Sequence, residues 1–213
     1  VPVDFAGHPA DYVPLRKVAN EAGVKLVADV AHSLGATYEG ERVGTLADST
    51  EVSFHPVKPV TTAEGGAVLT NDAELANRAR LFQTHGITRA QENLWAQDEG
   101  GWWYEQHHLG FNYRITDIQA ALGASQMAKL DGFIKRRREI AARYTAALAG
   151  VDGLQLPGER QNVESGWHLY VVRVADKALR RPFFEALRRA GLGVQVHYIP
   201  VYWHPYYQEL GYQ

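Results

Sequence analysis

D-Y-V-P-L-R-K-V-A-N-E-A-G-V-K-L-V-A-D, residues 11–29, is the stretch in which the fold shows itself. Tyr12, Val13, Leu15, Val18, Ala19 and Ala22 recur at helical spacing, and Gly23 stands where a helix C-cap belongs. A short apolar run of strand type follows at residues 26–29 and ends on Asp29. Upstream, V-P-V-D-F at residues 1–5 reads as another strand. Strand, helix and strand in that order predict a βαβ unit, and so an α/β fold with a parallel sheet and helices on its faces. In open sheets of this kind ligands bind beyond the carboxyl ends of the strands. Asp29 lies at such an end, with Ala31-His32-Ser33 directly after it.

Further along, V-S-F-H-P-V-K-P-V-T-T-A-E-G-G at residues 52–66 runs from a strand end into a proline-pinned loop carrying Lys58. Residues 61–66 then turn tightly into a second strand at 66–70. A lysine held off water has its ammonium disfavoured and its amine freed for Schiff-base chemistry. A lysine at a strand end that snorkels to solvent is the alternative. Asp29 admits two readings as well. It could keep the pyridine nitrogen of pyridoxal 5′-phosphate (PLP) protonated, or it could cap the turn toward His32. His32 could stack on a flat ring, ligate a metal or satisfy that turn. Ser53 could hold a phosphate oxygen close to the lysine. It could also pair with Lys58 as in a Ser–Lys hydrolase, although the sequence holds no G-x-S-x-G.

Composition narrows the classes. The 213 residues are 46% hydrophobic and 22% charged, which is ordinary for a globular protein. A net charge of −2 gives no footprint for nucleic acid, and the basic run at residues 135–138 falls inside a helical pattern. No apolar stretch is long enough to span a membrane. The chain has no cysteine, which excludes disulfides and thiolate chemistry and is compatible with a reducing, cytoplasmic setting. Nine histidines raise the question of a metal, but none falls in a tight ligand spacing, so no metal site is expected. The chain starts at Val1 in mid-strand and stops at Gln213 without a closing helix, so an internal fragment is expected.

Residues 71–74 read as a capping box for a helix to about residue 84, ended by Gly86. Residues 87–108 read as a loop rich in aromatics, with Trp95, Trp102, Trp103 and Tyr104. That loop is either a binding surface or a satellite apolar cluster. Thr116-Asp117-Ile118-Gln119 is a second capping box, opening a long helical pattern to residue 148 in which Gly132 marks a bend or a junction. A strand at 168–174, an amphipathic helix at 180–190 and a strand at 194–199 complete a second αβ unit. Residues 1–130 are therefore expected to form part of a large domain, and residues 131–213 the start of a small one reached through the long helix.

Four ordered blocks resemble the DegT-type sugar aminotransferases. They are A-D-V-A-H-S-L-G-A at 28–36, S-F-H-P-V-K at 53–58, T-T-A-E-G-G-A at 61–67, and L-G-F-N-Y-R-I-T-D-I-Q-A-A-L-G at 109–123. The wording H-P-V-K and H-Y-I-P-V at 197–201 is most similar to a branch that aminates carbon 4 of a UDP-linked 4-keto-6-deoxy sugar in pseudaminic acid biosynthesis. The resemblance implies a fold-type-I, aspartate aminotransferase-like PLP enzyme. It would act as a homodimer and transfer an amine from L-glutamate to a nucleotide sugar. By position, Lys58 would form the Schiff base with PLP, Asp29 would bind the pyridine nitrogen and His32 would stack on the ring. Ser53 would contact phosphate or substrate, and Asn112 would reach the neighbouring subunit's site. His197, Tyr198, Ile199 and Pro200 would line the sugar pocket. Val30 departs from the alanine frequent in the family without removing a functional group. The family's N-terminal segment, with its phosphate loop, lies outside these residues. Sister enzymes of other sugar specificity, and an idle fragment mediating subunit association through residues 95–104, are the alternatives.

Overall fold

The computed structural model describes residues 1–95 and 100–212. Residues 96–99 of the aromatic loop, and of the association patch read at 95–104, lie outside the described residues. In chain order the first elements are α1 (Tyr12–Glu21), β1 (Val27–Asp29), β2 (Thr37–Tyr38), β3 (Glu41–Arg42), β4 (Ser49–Ser53), β5 (Gly66–Leu69) and α2 (Ala73–Gln83). Next come β6 (Ile87–Thr88), β7 (Glu105–Gln106), α3 (Asp117–Met127), α4 (Leu130–Leu148), β8 (Leu154–Gln155), β9 (Val163–Glu164) and β10 (Arg173–Val174). α5 (Arg180–Arg189) and α6 (Pro205–Glu209) complete the series. By packing, Val1–Ala147 with Pro157–Val171 form one unit, and Leu148–Leu156 with Val172–Gln213 form another.

The first unit is built on the sheet β1-β4-β5. β1 and β4 run parallel with Asp29 opposite Glu51, and β5 returns antiparallel with Gly66 opposite Ser53. The βαβ start is present in reduced form. Val3 bridges Asp29 in parallel, with Asp29 N–H donating to the Pro2 carbonyl at 2.9 Å and Asp4 N–H to the Asp29 carbonyl at 3.0 Å. Residues 1–5 contribute no longer strand, because the chain turns into a short 3-10 helix at Phe5–Gly7. α1 ends as its sequence indicates: Gly23 has φ +64°, and Val24 N–H reaches back to the Ala19 carbonyl at 3.0 Å. Its buried face, Tyr12 and Ala19, joins Leu26, Ala28, Val30, Ala36, Tyr38 and Val52 in the main core.

A second small sheet, β3-β2-β9, closes over this core with residues far apart in sequence. α2 is capped by Asp72, whose side chain accepts from Glu74 N–H and Leu75 N–H. The expected loop at 87–108 contains a short antiparallel pair, β6 with β7. The long helical pattern is two helices, and they part at residues 128–129 rather than at Gly132, which is exposed within α4. Leu130 opens α4 and is buried, with Ile134 one turn on, against Val60. That anchorage packs the start of α4 against the lysine loop, and the first compact unit runs on through α4 to Ala147.

In the second unit β8 pairs antiparallel with β10, and the strand read at 168–174 shortens to Arg173–Val174. α5 forms as read, with Pro182 in its first turn. No strand forms over residues 194–199: the segment has no hydrogen-bonded neighbour among the described residues, and Val196, Tyr198 and Ile199 stay exposed.

Asp4 ties the first unit together at its base. Fully buried, its carboxylate accepts from Ala10 N–H at 2.8 Å, Tyr12 O–H at 2.9 Å and Ser33 O–H at 2.6 Å. Burial raises its pKa, and the hydrogen bonds oppose that only in part. Asp4→Ala would leave three donors unsatisfied and is expected to cost about 3–5 kcal/mol in urea unfolding. Asp4→Asn keeps Oδ1 for Ala10 and Tyr12 and can donate to Ser33 Oγ, so it should retain stability to within about 1 kcal/mol. Because the folded carboxyl binds its proton more tightly than the unfolded one, stability falls as pH rises from the ordinary aspartate pKa through the raised one. Asp4→Asn should flatten this slope.

Candidate active site

The loop that carries Lys58 is closed at its neck by one residue. Phe54 N–H donates to the Gly65 carbonyl at 2.9 Å, and the Phe54 carbonyl accepts from Thr62 N–H at 2.9 Å and Thr61 O–H at 3.1 Å. Within the loop Lys58 N–H turns back to the His55 carbonyl at 2.9 Å. Val60 is fully buried against Leu130 and Ile134 of α4. The capping box of α3 gives a second support. Thr116 and Gln119 exchange side-chain and backbone hydrogen bonds, and Gln119 Nε2 also donates to the Glu64 carbonyl at 2.9 Å. At Gly123, one turn on, a Cβ would stand 2.8 Å from the Thr62 methyl. The 109–123 block and the lysine block are thus one packed assembly.

Lys58 is half-buried, and its amine makes no hydrogen bond or ion pair among the described residues. Burial lowers its pKa, and the Asp29 carboxylate partly opposes the shift. Asp29 sits at the carboxyl end of β1 in the same field. Its Oδ1 accepts from Ala31 N–H at 2.9 Å, and no described donor bonds Oδ2. The turn-capping reading of Asp29 is therefore real, and it uses one oxygen only. His32 is half-buried, with Nδ1 accepting from Ala6 N–H at 3.3 Å. Phe5 and His168 flank its ring at centroid distances of 6.2 and 4.5 Å.

Ser53 ends β4, the strand beside β1, and its Oγ accepts from His55 N–H at 3.3 Å. No hydrogen bond joins it to Lys58. Asn112 lies on an extended strap along the end of α2, bridged to Thr84. Its side chain is exposed, and no hydrogen bond or ion pair links it to Lys58, Asp29, His32 or Ser53. His197, Tyr198, Ile199 and Pro200 belong to the second unit. There His197 and Tyr198 lie with ring centroids 4.3 Å apart, and Pro200 precedes the 3-10 turn Val201–Trp203. Among the described residues no three His, Asp or Glu side chains are grouped to hold a metal.

Two contributors escaped the sequence reading. His168 reaches His32 from far along the chain, and Arg137 of α4 donates to the Trp167 and His168 carbonyls at 3.2 Å each. A histidine in an apolar run gives no local signal of such a contact.

The DegT/DnrJ/EryC1/StrS aminotransferase family matches residues 1–213. The chain is 38% identical to the spore coat polysaccharide biosynthesis protein SpsC of Bacillus subtilis, over 100% of this chain and 56% of that one. It is 36% identical to a UDP-4-amino-4,6-dideoxy-N-acetyl-beta-L-altrosamine transaminase of Campylobacter jejuni, over 98% and 54%. Among solved structures, Helicobacter pylori PseC, an aminotransferase involved in the biosynthesis of pseudoaminic acid, aligns with TM-score 0.88 at 33% identity over 98% and 54%. The PLP-form of the sugar aminotransferase Spr1654 of Streptococcus pneumoniae aligns with TM-score 0.88 at 30% identity over 100% and 57%. The fold is that of the fold-type-I sugar aminotransferases, and the chain spans about half the length of these relatives.

The amine's environment has a direct consequence. Lys58 should be acylated by an amine reagent at lower pH than the exposed lysines. Asp29→Asn removes the charge that favours the ammonium, so the midpoint of Lys58 labelling, followed by peptide mass spectrometry, should move further down. An upward move would contradict the coupling.

Proposed function

Because the chain belongs to the DegT/DnrJ/EryC1/StrS aminotransferase family, we propose that it carries the lysine-bearing part of a PLP-dependent aminotransferase acting on a nucleotide-linked keto sugar. The observation that carries this reading is the half-buried Lys58 amine, without a partner among the described residues, in the loop that leaves β4 beside the strand ending on Asp29. A phosphorylated pyridine aldehyde fits these groups: an amine to bond its carbonyl carbon, a carboxylate oxygen without a donor among the described residues for its ring nitrogen, and a flat imidazole for its face. When bound, PLP supplies a carbonyl that condenses with amines and a ring that accepts the electron pair left when an adjacent C–H bond breaks.

The residues of this chain then have distinct tasks. Lys58 Nζ is kept toward its neutral form by burial, so it can act as nucleophile and, once released, as the base that takes and returns a proton. Asp29 Oδ2 holds a proton on the ring nitrogen by charge, which keeps the ring electron-poor. His32 presents a face to the ring and limits its tilt. Ser53 Oγ, at a strand end beside the lysine loop, offers a hydroxyl to phosphate or substrate. His197, Tyr198, Ile199 and Pro200 would line the sugar side, and glutamate would be the amino donor.

The finer assignment is a UDP-linked 4-keto-6-deoxy sugar aminated at carbon 4, on the path to pseudaminic acid. It is supported by the H-P-V-K and H-Y-I-P-V wording and by the Campylobacter and Helicobacter relatives. A sister specificity is the second reading, favoured by the equal likeness to SpsC. Lys58 stands against sugar dehydration, a branch of the fold whose members carry histidine at that position. Asn112, exposed on its strap, would complete the site of a second subunit in a homodimer.

In the protein over its natural length, borohydride should fix PLP on Lys58. Lys58→Ala should abolish that adduct and lower amino transfer from glutamate by roughly 10²–10⁴-fold or more. Unchanged transfer would refute the mechanism, and a preference for a GDP-linked over a UDP-linked keto sugar would move the substrate assignment. Mixing inactive Lys58→Ala and Asn112→Ala subunits should restore activity, because a mixed dimer carries one intact site. No recovery would place Asn112 in its own subunit's site or outside catalysis.

A further inference from the structure

His32 is held at Nδ1, and two rings lie near it. With Nδ1 accepting from Ala6 N–H at 3.3 Å, the proton of the neutral ring sits on Nε2. Phe5 is tilted against it by 49° and His168 by 41°. The segment bearing His168 is tied to the same short stretch that holds His32. Leu169 N–H donates to the Ala6 carbonyl at 3.1 Å, Gly166 N–H to the Gly7 carbonyl at 2.8 Å, and Ser165 O–H to Gly7 at 2.9 Å. Ala6 therefore gives its N–H to one histidine's ring and its carbonyl to the backbone next to the other. At Gly7, with φ +101°, a Cβ would stand 2.6 Å from the backbone nitrogens of Trp167 and His168. Arg137 Nη1 donates to the carbonyls of Trp167 and His168, and Arg138 Nε to that of Ser165 at 3.0 Å.

We propose that His168 is a positioning residue, whose ring fixes the plane of His32 and so keeps Nδ1 on Ala6 N–H, the contact that sets the tautomer, leaving His32 placed to meet the face of a bound PLP. This rests on the reading of His32 as the ring-facing residue. A purely structural pair would need only to fill space. Here both partners are registered to one residue, Ala6, and His32 is turned so that a specific edge is used up and the other nitrogen keeps its proton. His168 has no contact with cofactor in this scheme and acts through His32 alone.

The test uses the protein over its natural length, as wild type, His168→Ala and His168→Phe, with PLP as the probe. His168→Ala should raise the PLP dissociation constant about 3- to 10-fold and shrink the visible circular dichroism of the bound cofactor. The thermal midpoint of the cofactor-free protein should stay in place. His168→Phe, which keeps a ring against His32, should restore both signals. In the cofactor-free protein, side-chain 15N NMR should show His32 in the Nε2–H tautomer for wild type and His168→Phe, and an averaged ring for His168→Ala. The proposal is overturned if His168→Ala leaves the dissociation constant, the dichroism and the tautomer unchanged. It is equally overturned if they move only in step with lost thermal stability. Should wild type take up no PLP, the aminotransferase reading fails, and the NMR comparison still decides whether His168 sets His32.

Discussion

A primary amine partly withdrawn from water and given no partner costs free energy, and a free lysine would escape by swinging into solvent. Lys58 stays because its loop cannot swing. The neck is closed by the Phe54 backbone, which bonds both to Gly65 and to Thr62. The far limb is pinned by Val60 beneath α4, and the turn by Gln119 on the Glu64 carbonyl. These ties come from three separate sequence blocks, so the lysine's reactivity is a property of the assembled unit. The prolines on either side of Lys58 stiffen the loop but do not themselves place it.

What was legible in the sequence is what local chemistry decides. α1 with Gly23, the strands around the lysine loop and the Thr116–Gln119 capping box were each readable from a few neighbouring residues. What was not legible depends on partners far away. Residues 194–199 alternate like a strand, yet a strand needs a neighbour and that segment has none among the described residues. The β3-β2-β9 sheet joins residues 37–42 to 163–164, a pairing no window of sequence contains. The junction at 128–129 has no glycine or proline to announce it. It accompanies the burial of Leu130 against Val60, a tertiary contact that local helix propensity does not reveal.

The site divides along the same line. Asp29, His32, Ser53 and Lys58 could be picked out because they sit at strand ends or in the loop between strands, where α/β sheets bind ligands. Asn112 had no such mark and entered through resemblance. The structure places it on the strap whose backbone runs along the end of α2, with Phe111 N–H on the Phe82 carbonyl at 2.7 Å and Tyr113 N–H on the Gln83 carbonyl at 3.0 Å. That backbone pairing leaves the Asn112 side chain exposed, with no bond to the lysine loop to mark it.

The supports of the two central side chains share one device. Lys58 is held through the Phe54 and Gly65 peptides, and His32 through the Ala6 and Gly7 peptides, so backbone groups carry the positional load. Side-chain identity at Phe54 or Ala6 matters to packing, whereas the hydrogen bonds would survive its change. The glycines have no such freedom. At Gly66 a Cβ would stand 2.7 Å from the Val52 carbonyl oxygen, and at Gly7 it would meet the backbone of residues 166–168. Two backbone crossings, each too close for a side chain, therefore set where the amine and the imidazole stand. A substitution there must push the two backbones apart before it can be accommodated, which displaces the functional group without touching it.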